Sequence, residues 1–100
     1  MKKLGFGLMR LPQSDSDYGN VDYERVKKMA DQFMAKGFTY FDTAAPYHKG
    51  NSEVAFREAV AKRYPRSYYT ITDKLSLFMI KSPEEFPAFF QGQLERLGVE

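Results

Sequence analysis

The sequence has no cysteine, no tryptophan and a single histidine, His48. Without thiols, disulfides and thiolate metal sites are excluded within the chain. His48 has no partner at metal-ligand spacing, so it reads as a loop residue and no metal site is expected. An excess of one charge is lacking too. The formal net charge is only +2, and basic residues interleave with acidic ones instead of forming a block. That balance argues against nucleic acid or a membrane as partner. No window approaches the roughly 18 apolar residues of a transmembrane helix. Met1-Lys2-Lys3-Leu4 has no long apolar core or cleavage site behind it, so no signal peptide is expected. A cytoplasmic location is the default that remains.

What is present suits a globular chain. Hydrophobic residues make up 43% and charged residues 28%, with aromatics at 16%. That is too apolar for disorder. The length of 100 residues corresponds to one small domain or to part of a larger one.

Three strand-then-helix units follow one another. The apolar run Leu4 to Met9 is a first strand, stopped at Arg10-Leu11-Pro12. Asp22 is placed to cap a helix with Tyr23, Val26, Ala30, Phe33 and Met34 on its apolar face, and Gly37 ends it. Glu24 and Lys28 sit four apart on its wet side. The second unit begins with Phe38-Thr39-Tyr40-Phe41 and breaks at Pro46 and Gly50. Asn51 or Ser52 then caps a helix whose apolar side is Ala55, Phe56, Ala59 and Val60. Glu53–Arg57 and Glu58–Lys62 are its expected solvent-side pairs, and Pro65 stops it. The third unit runs from Tyr68 to Leu75. Its helix opens at Ser82, Pro83 and Glu85, with Phe86, Phe89, Phe90, Leu94 and Leu97 as an apolar stripe and Gly98 as its close. Pro87 predicts a kink or a late start. Strand starts recur at roughly 30 to 34 residues, the size of one βα unit in a parallel sheet. Pattern alone leaves an open doubly wound sheet and a barrel equally available.

Arg10, Asp42, Tyr47 and Lys74 all lie at or just past the carboxyl end of a strand, the edge where parallel α/β architectures build sites. A tyrosine hydroxyl exchanges its proton poorly at neutral pH, a neighbouring lysine cation favours the phenolate, and an aspartate holds the lysine. Such a trio is a general acid for protonating a carbonyl oxygen, or a base for the reverse reaction. Taken singly, each residue has a plainer reading. Asp42 would cap a loop, Tyr47 would pack with a wet hydroxyl, and Lys74 would be a surface charge. Asp42 as a metal ligand lacks a second carboxylate or histidine nearby. Gly5 and Gly7 form a G-x-G, but Leu8, Met9 and Arg10 follow where a dinucleotide fingerprint needs a third glycine.

Three motifs taken together change the reading. They are Gly5-Phe6-Gly7-Leu8-Met9-Arg10-Leu11-Pro12, then Phe41-Asp42-Thr43-Ala44 with Tyr47, Gly50, Ser52 and Glu53, then Asp73-Lys74-Leu75. With the closing Gln93-Leu94-Glu95-Arg96-Leu97-Gly98-Val99, the chain resembles the aldo-keto reductase family end to end. It is most similar to bacterial members that begin with the first barrel strand. The resemblance implies an α/β fold made of the first three βα units of a (β/α)8 TIM barrel, with a parallel sheet and the barrel incomplete in this chain. Residues 1–100 would be the N-terminal segment of that barrel domain. It also implies hydride transfer between a nicotinamide cofactor, usually NADP(H), and a carbonyl or alcohol. By motif position Tyr47 would be the proton donor, Lys74 the residue that lowers its pKa, and Asp42 the lysine's partner. Gly7, Leu8, Met9, Arg10 and Asp42 would line the cofactor and substrate pocket.

The resemblance further implies a fourth catalytic residue, a histidine at the end of the fourth strand, beyond Glu100. Two hypotheses follow. In one, the chain is part of a competent reductase, inactive by itself and a poor binder of cofactor alone. In the other, it is a non-catalytic module that associates with itself or with a partner. Either way, an unclosed sheet predicts self-association or pairing with the rest of a barrel.

Overall fold

In the computed structural model, which describes residues 3–100, three short parallel strands lie in chain order: β1 (Gly5–Gly7), β2 (Tyr40–Asp42) and β3 (Thr70–Thr72). The amino-terminal reading of Met1 and Lys2 lies outside the described residues. Helix α1 (Tyr23–Ala35) joins β1 to β2, α2 (Asn51–Phe56) joins β2 to β3, and α3 (Phe86–Leu97) follows β3. The three expected βα units are all present, in the expected order.

The register sets the two faces of the sheet. Phe6, Phe41 and Ile71 lie side by side, as do Gly7, Asp42 and Thr72. Because side chains alternate, the first row faces the helices and the second faces away. On the helix side Phe41 and Phe56 are fully buried in one core with Val26, Ala30, Val60 and Leu97. Aromatic rings knit it together: Phe41 meets Phe33 edge-on at 5.2 Å and Phe56 at 5.4 Å, and Phe56 meets Tyr69 at 5.2 Å. The other face, bearing Gly5, Gly7, Tyr40, Asp42, Thr70 and Thr72, is largely open. Consecutive parallel strands with every helix contributing to one core make a piece of barrel wall.

The first helix follows its sequence signals. Asp22 accepts a hydrogen bond from the Arg25 N–H at 3.2 Å, and Gly37 takes up a left-handed φ of 87° just past the end. On its wet side Glu24 pairs with Lys27 at 3.1 Å instead of Lys28, since a helix offers both neighbours.

Several expectations need correction. Neither Asn51 nor Ser52 caps α2, because Gly50 at a φ of 91° turns the chain in, and both side chains reach other loops. Asn51 donates to the Gly19 carbonyl at 2.7 Å, and Ser52 to the Leu8 carbonyl at 2.8 Å. Glu53 is not on a wet face. It is fully buried, because α3 covers that side of α2, and it pairs with Arg96 and not with Arg57. Past Phe56 the helix loosens into a π-helical turn over Arg57–Ala61, where Glu58 and Lys62 do pair at 3.0 Å. Phe38 precedes β2, so strand alternation does not govern it, and its ring stacks on Phe33 of α1 at 5.2 Å.

Pro87 produces a late start. Pro83–Glu85 forms a 3-10 turn in which Glu85 accepts the N–H groups of Lys81 and Ser82 at 2.7 and 2.9 Å. The α-helix begins at Phe86, so Pro87 sits in the first turn, where a missing donor is harmless. The apolar stripe of α3 is only partly used: Leu97 is buried, while Phe86 and Phe90 stack on each other in the open at 5.9 Å. No helix among the described residues is long and apolar enough to cross a membrane.

Candidate active site

The parallel pairing runs on past the strands. Leu8 N–H donates to the Asp42 carbonyl at 2.9 Å, Thr43 N–H to that of Thr72 at 2.9 Å, and Ala45 N–H to that of Lys74 at 3.1 Å. These bonds hold three strand exits level, which brings Asp42 and Lys74 together although 32 residues separate them. Lys74 Nζ donates to Asp42 Oδ2 at 2.8 Å. Asp42, and then Tyr47, hold the Lys74 ammonium above the usual lysine range.

Tyr47 arrives by a turn. Its N–H bonds the Ala44 carbonyl at 3.2 Å, and its ring centroid lies 5.0 Å from Lys74 Nζ. The next residues are held in an unusual backbone: His48 and Lys49 have φ of 53° and 57° and Gly50 of 91°, a left-handed run. Such a conformation is strained for non-glycine residues and persists only where surroundings enforce it. His48 supplies the enforcement. It is fully buried, accepts the Leu11 N–H at Nε2 (2.9 Å), bonds the Tyr18 carbonyl through Nδ1 (2.7 Å) and stacks on the Tyr18 ring at 4.1 Å. Since Nε2 accepts, Nδ1 carries the proton and donates. The loop histidine of the sequence is therefore an anchor that ties the Tyr47 turn to the loop after β1.

Thr43 and Ser52 add a second tie. Ser52 donates to the Leu8 carbonyl, which leaves the Thr43 hydroxyl to donate to Ser52 Oγ at 2.6 Å, all of it buried.

The residues expected to line a pocket are spread over both faces of β1 and its exit. Gly7 lies on the open face beside Asp42, and a side chain there would meet no atom within 4 Å. Met9 and Arg10 are exposed at the exit of β1, and the Met9 carbonyl accepts the Tyr18 hydroxyl at 2.9 Å. Leu8 turns its side chain into the helix-side core, so only its backbone borders the loops. On the open face Tyr40 donates to Thr72 Oγ1 at 2.9 Å and lies across Gly5, whose missing side chain makes room for the ring.

Behind the site is a cluster that motif reasoning missed. Glu53 Oε1 takes the Arg96 Nε–H at 2.6 Å, while Asp73, beside Lys74, accepts the Lys74 N–H at 2.9 Å. Gln93 donates to Asp73 Oδ2 at 3.2 Å and to the Lys74 carbonyl at 3.0 Å. The only signal available was their place inside the quoted motifs, which carries no hint of mutual contact.

A parallel α/β wall with a lysine–aspartate–tyrosine group at its strand exits defines a class, and comparison with known proteins narrows it. Residues 3–100 match the Aldo/keto reductase family, and the chain belongs to it. No curated protein matches the chain in a sequence search. Among solved structures, it is similar to a thermostable aldo-keto reductase, Tm1743, described in complex with the inhibitor epalrestat. The TM-score is 0.69 at 23% identity, a likeness of fold. The match covers 99% of this chain and 35% of that one, so the chain spans about a third of its solved relative.

Proposed function

We propose that residues 1–100 form the N-terminal segment of an aldo-keto reductase barrel domain and carry the proton-donating part of its site. The observation that carries the reading is the 2.8 Å Lys74–Asp42 pair at adjacent strand exits with the Tyr47 ring 5.0 Å from the ammonium. In this reading Tyr47 gives its hydroxyl proton to the carbonyl oxygen of a small-molecule substrate as that carbon is reduced to an alcohol. The Lys74 ammonium stabilises the negative charge left on the phenolic oxygen, and Asp42 keeps the ammonium in place. NADP(H) would supply the hydride when bound. The clear floor over Gly7, next to Asp42, suits the close approach of a flat ring. Met9, Arg10 and the Leu8 backbone would border it.

The chain by itself is expected to be inactive, because a nicotinamide and a carbonyl held only by one open wall lack the enclosure and alignment that reaction requires. The test is NADPH oxidation with an aldehyde, by this chain within a complete barrel. Tyr47→Phe is expected to lower turnover by about 10²- to 10⁴-fold. A Phe variant as active as the parent would remove Tyr47 from the role.

A second reading is a non-catalytic, self-associating module. Its support is the exposed apolar side chains after β3: Leu77 is 78% and Phe78 81% exposed, Leu77 and Phe86 line one groove, and Phe86 stacks on Phe90. Both readings predict association. Only the first predicts dependence on Tyr47.

A further inference from the structure

The cluster behind Lys74 contains an unbalanced polar atom. Glu53 is 0% exposed, and with Arg96 on Oε1 its Oε2 has no partner. A buried carboxylate oxygen without a donor is costly and calls for one. Gln93 spends its amide on Asp73 Oδ2 and the Lys74 carbonyl, and the Lys74 N–H goes to Asp73 Oδ1. The Asp73 carboxyl is within hydrogen-bonding reach of Glu53 and is the group left to serve it. Two carboxyl groups in contact cannot both be ionised cheaply, so one proton between them satisfies the orphan oxygen and removes the repulsion.

We propose that Asp73 and Glu53 share one buried proton, donated by the Asp73 carboxyl to Glu53 Oε2, and that this pair fixes the exit of β3 and so sets where Lys74 is presented. The remaining negative charge is balanced by Arg96. Burial first, then the hydrogen bond and charge of Glu53, push the Asp73 carboxyl up to about 8, against the opposing Lys74 N–H and Arg96. The charged groups facing it are therefore Glu53 from α2 and Arg96 from α3, while its neighbour Lys74 meets it only through the backbone N–H and keeps its ammonium on Asp42. Release of the proton to solvent leaves two carboxylates facing each other next to the Lys74 backbone. Asp73 and Glu53 are thus positioning residues. That role rests on the reading of Lys74 as the partner of Tyr47, while the shared proton does not.

The experiment is a pH titration of the full chain by NMR, following the carboxyl carbons of labelled aspartate together with the Lys74 amide and Nζ signals. One aspartate carboxyl should titrate near pH 8 and vanish from the spectrum of Asp73→Asn, and the Lys74 signals should follow the same midpoint. In Asp73→Asn, which offers Glu53 a donor that does not titrate, the step at Lys74 should disappear. In Glu53→Gln the Asp73 midpoint should fall, while burial keeps it above the free-aspartate value of about 4. If every aspartate of the unaltered chain titrates near about 4, the shared proton is wrong. If the pair titrates near pH 8 while Lys74 does not respond, the positioning role is wrong. None of these readouts involves turnover, so a failure of the reductase reading would show separately, in the Tyr47→Phe assay.

Discussion

At the scale of single residues, His48 ties the Tyr47 turn to the loop after β1. Its backbone sits at a φ of 53°, and both ring nitrogens are bonded, to the Leu11 N–H and the Tyr18 carbonyl. His48→Ala leaves both groups unsatisfied and a space against the Tyr18 ring. We expect a loss of about 1–3 kcal/mol per stranded group, read as a lower midpoint in urea unfolding. A change within about 0.5 kcal/mol would mean the loop is held otherwise. Asp73 makes a pH prediction. The fold keeps its proton up to about pH 8, whereas the unfolded chain releases it near about 4. Between those values the folded form binds more protons, so this contribution to stability falls as pH rises and levels off above about 8. The stability of Asp73→Asn relative to the parent should therefore increase over that window, and a difference independent of pH would contradict it. Asp31, held below the usual carboxylate range by Arg63 and then Tyr64, works with the opposite sign, its contribution being lost as pH falls. Motif spacing pointed to Asp42, Tyr47 and Lys74 because chain order and strand ends are written in one dimension. It missed Glu53, Asp73 and Gln93 as a group because their meeting depends on α3 folding over α2, contacts between residues 20 to 43 apart.

Elements were easier to read where local chemistry decides them. Asp22, Gly37, Pro87 and Gly98 all act at helix ends, as propensity and capping require, so α1 and α3 were legible from the sequence. Asp22→Ala should lower stability by about 1 kcal/mol, through loss of the bond to the Arg25 N–H. Gly98 has a φ of 74°, and a Cβ there would lie 2.6 Å from Arg57 Cγ. Gly98→Ala should therefore cost about 1 kcal/mol or more, by thermal or urea unfolding. An unchanged midpoint would mean that the helix end relaxes freely. The ends of α2 were misread for a physical reason. Asn51 and Ser52 look like caps locally, but their side chains are claimed by the Gly19 and Leu8 carbonyls, partners 32 and 44 residues away. Glu53 looked wet because an i,i+4 partner, Arg57, was at hand, and burial by a later helix overrode that pattern.

For the whole molecule, what decides behaviour is the surface left without a cover. The open sheet face and the exposed side chains of Leu77, Phe78, Phe86 and Phe90 are groups that a complete barrel or a partner would shield. The chain is expected to sediment as an associated species at micromolar concentration, and Phe78→Ser should shift it towards the monomer. A monomer that unfolds cooperatively would argue against this. That three βα units build a parallel sheet was legible from the recurring spacing. The choice between open sheet and barrel was not, because it depends on which face the helices share. The central claim, that this chain carries the proton-donating side of a reductase site and is not sufficient for catalysis, is tested most directly by one assay. NADPH oxidation with an aldehyde is measured for the chain alone and for a complete barrel in which residues 3–100 replace the matching segment of the thermostable reductase. The account predicts no turnover by the chain alone, and turnover by the barrel that Tyr47→Phe abolishes. Turnover by the chain alone that is lost in Tyr47→Phe, or a barrel indifferent to that substitution, would contradict it.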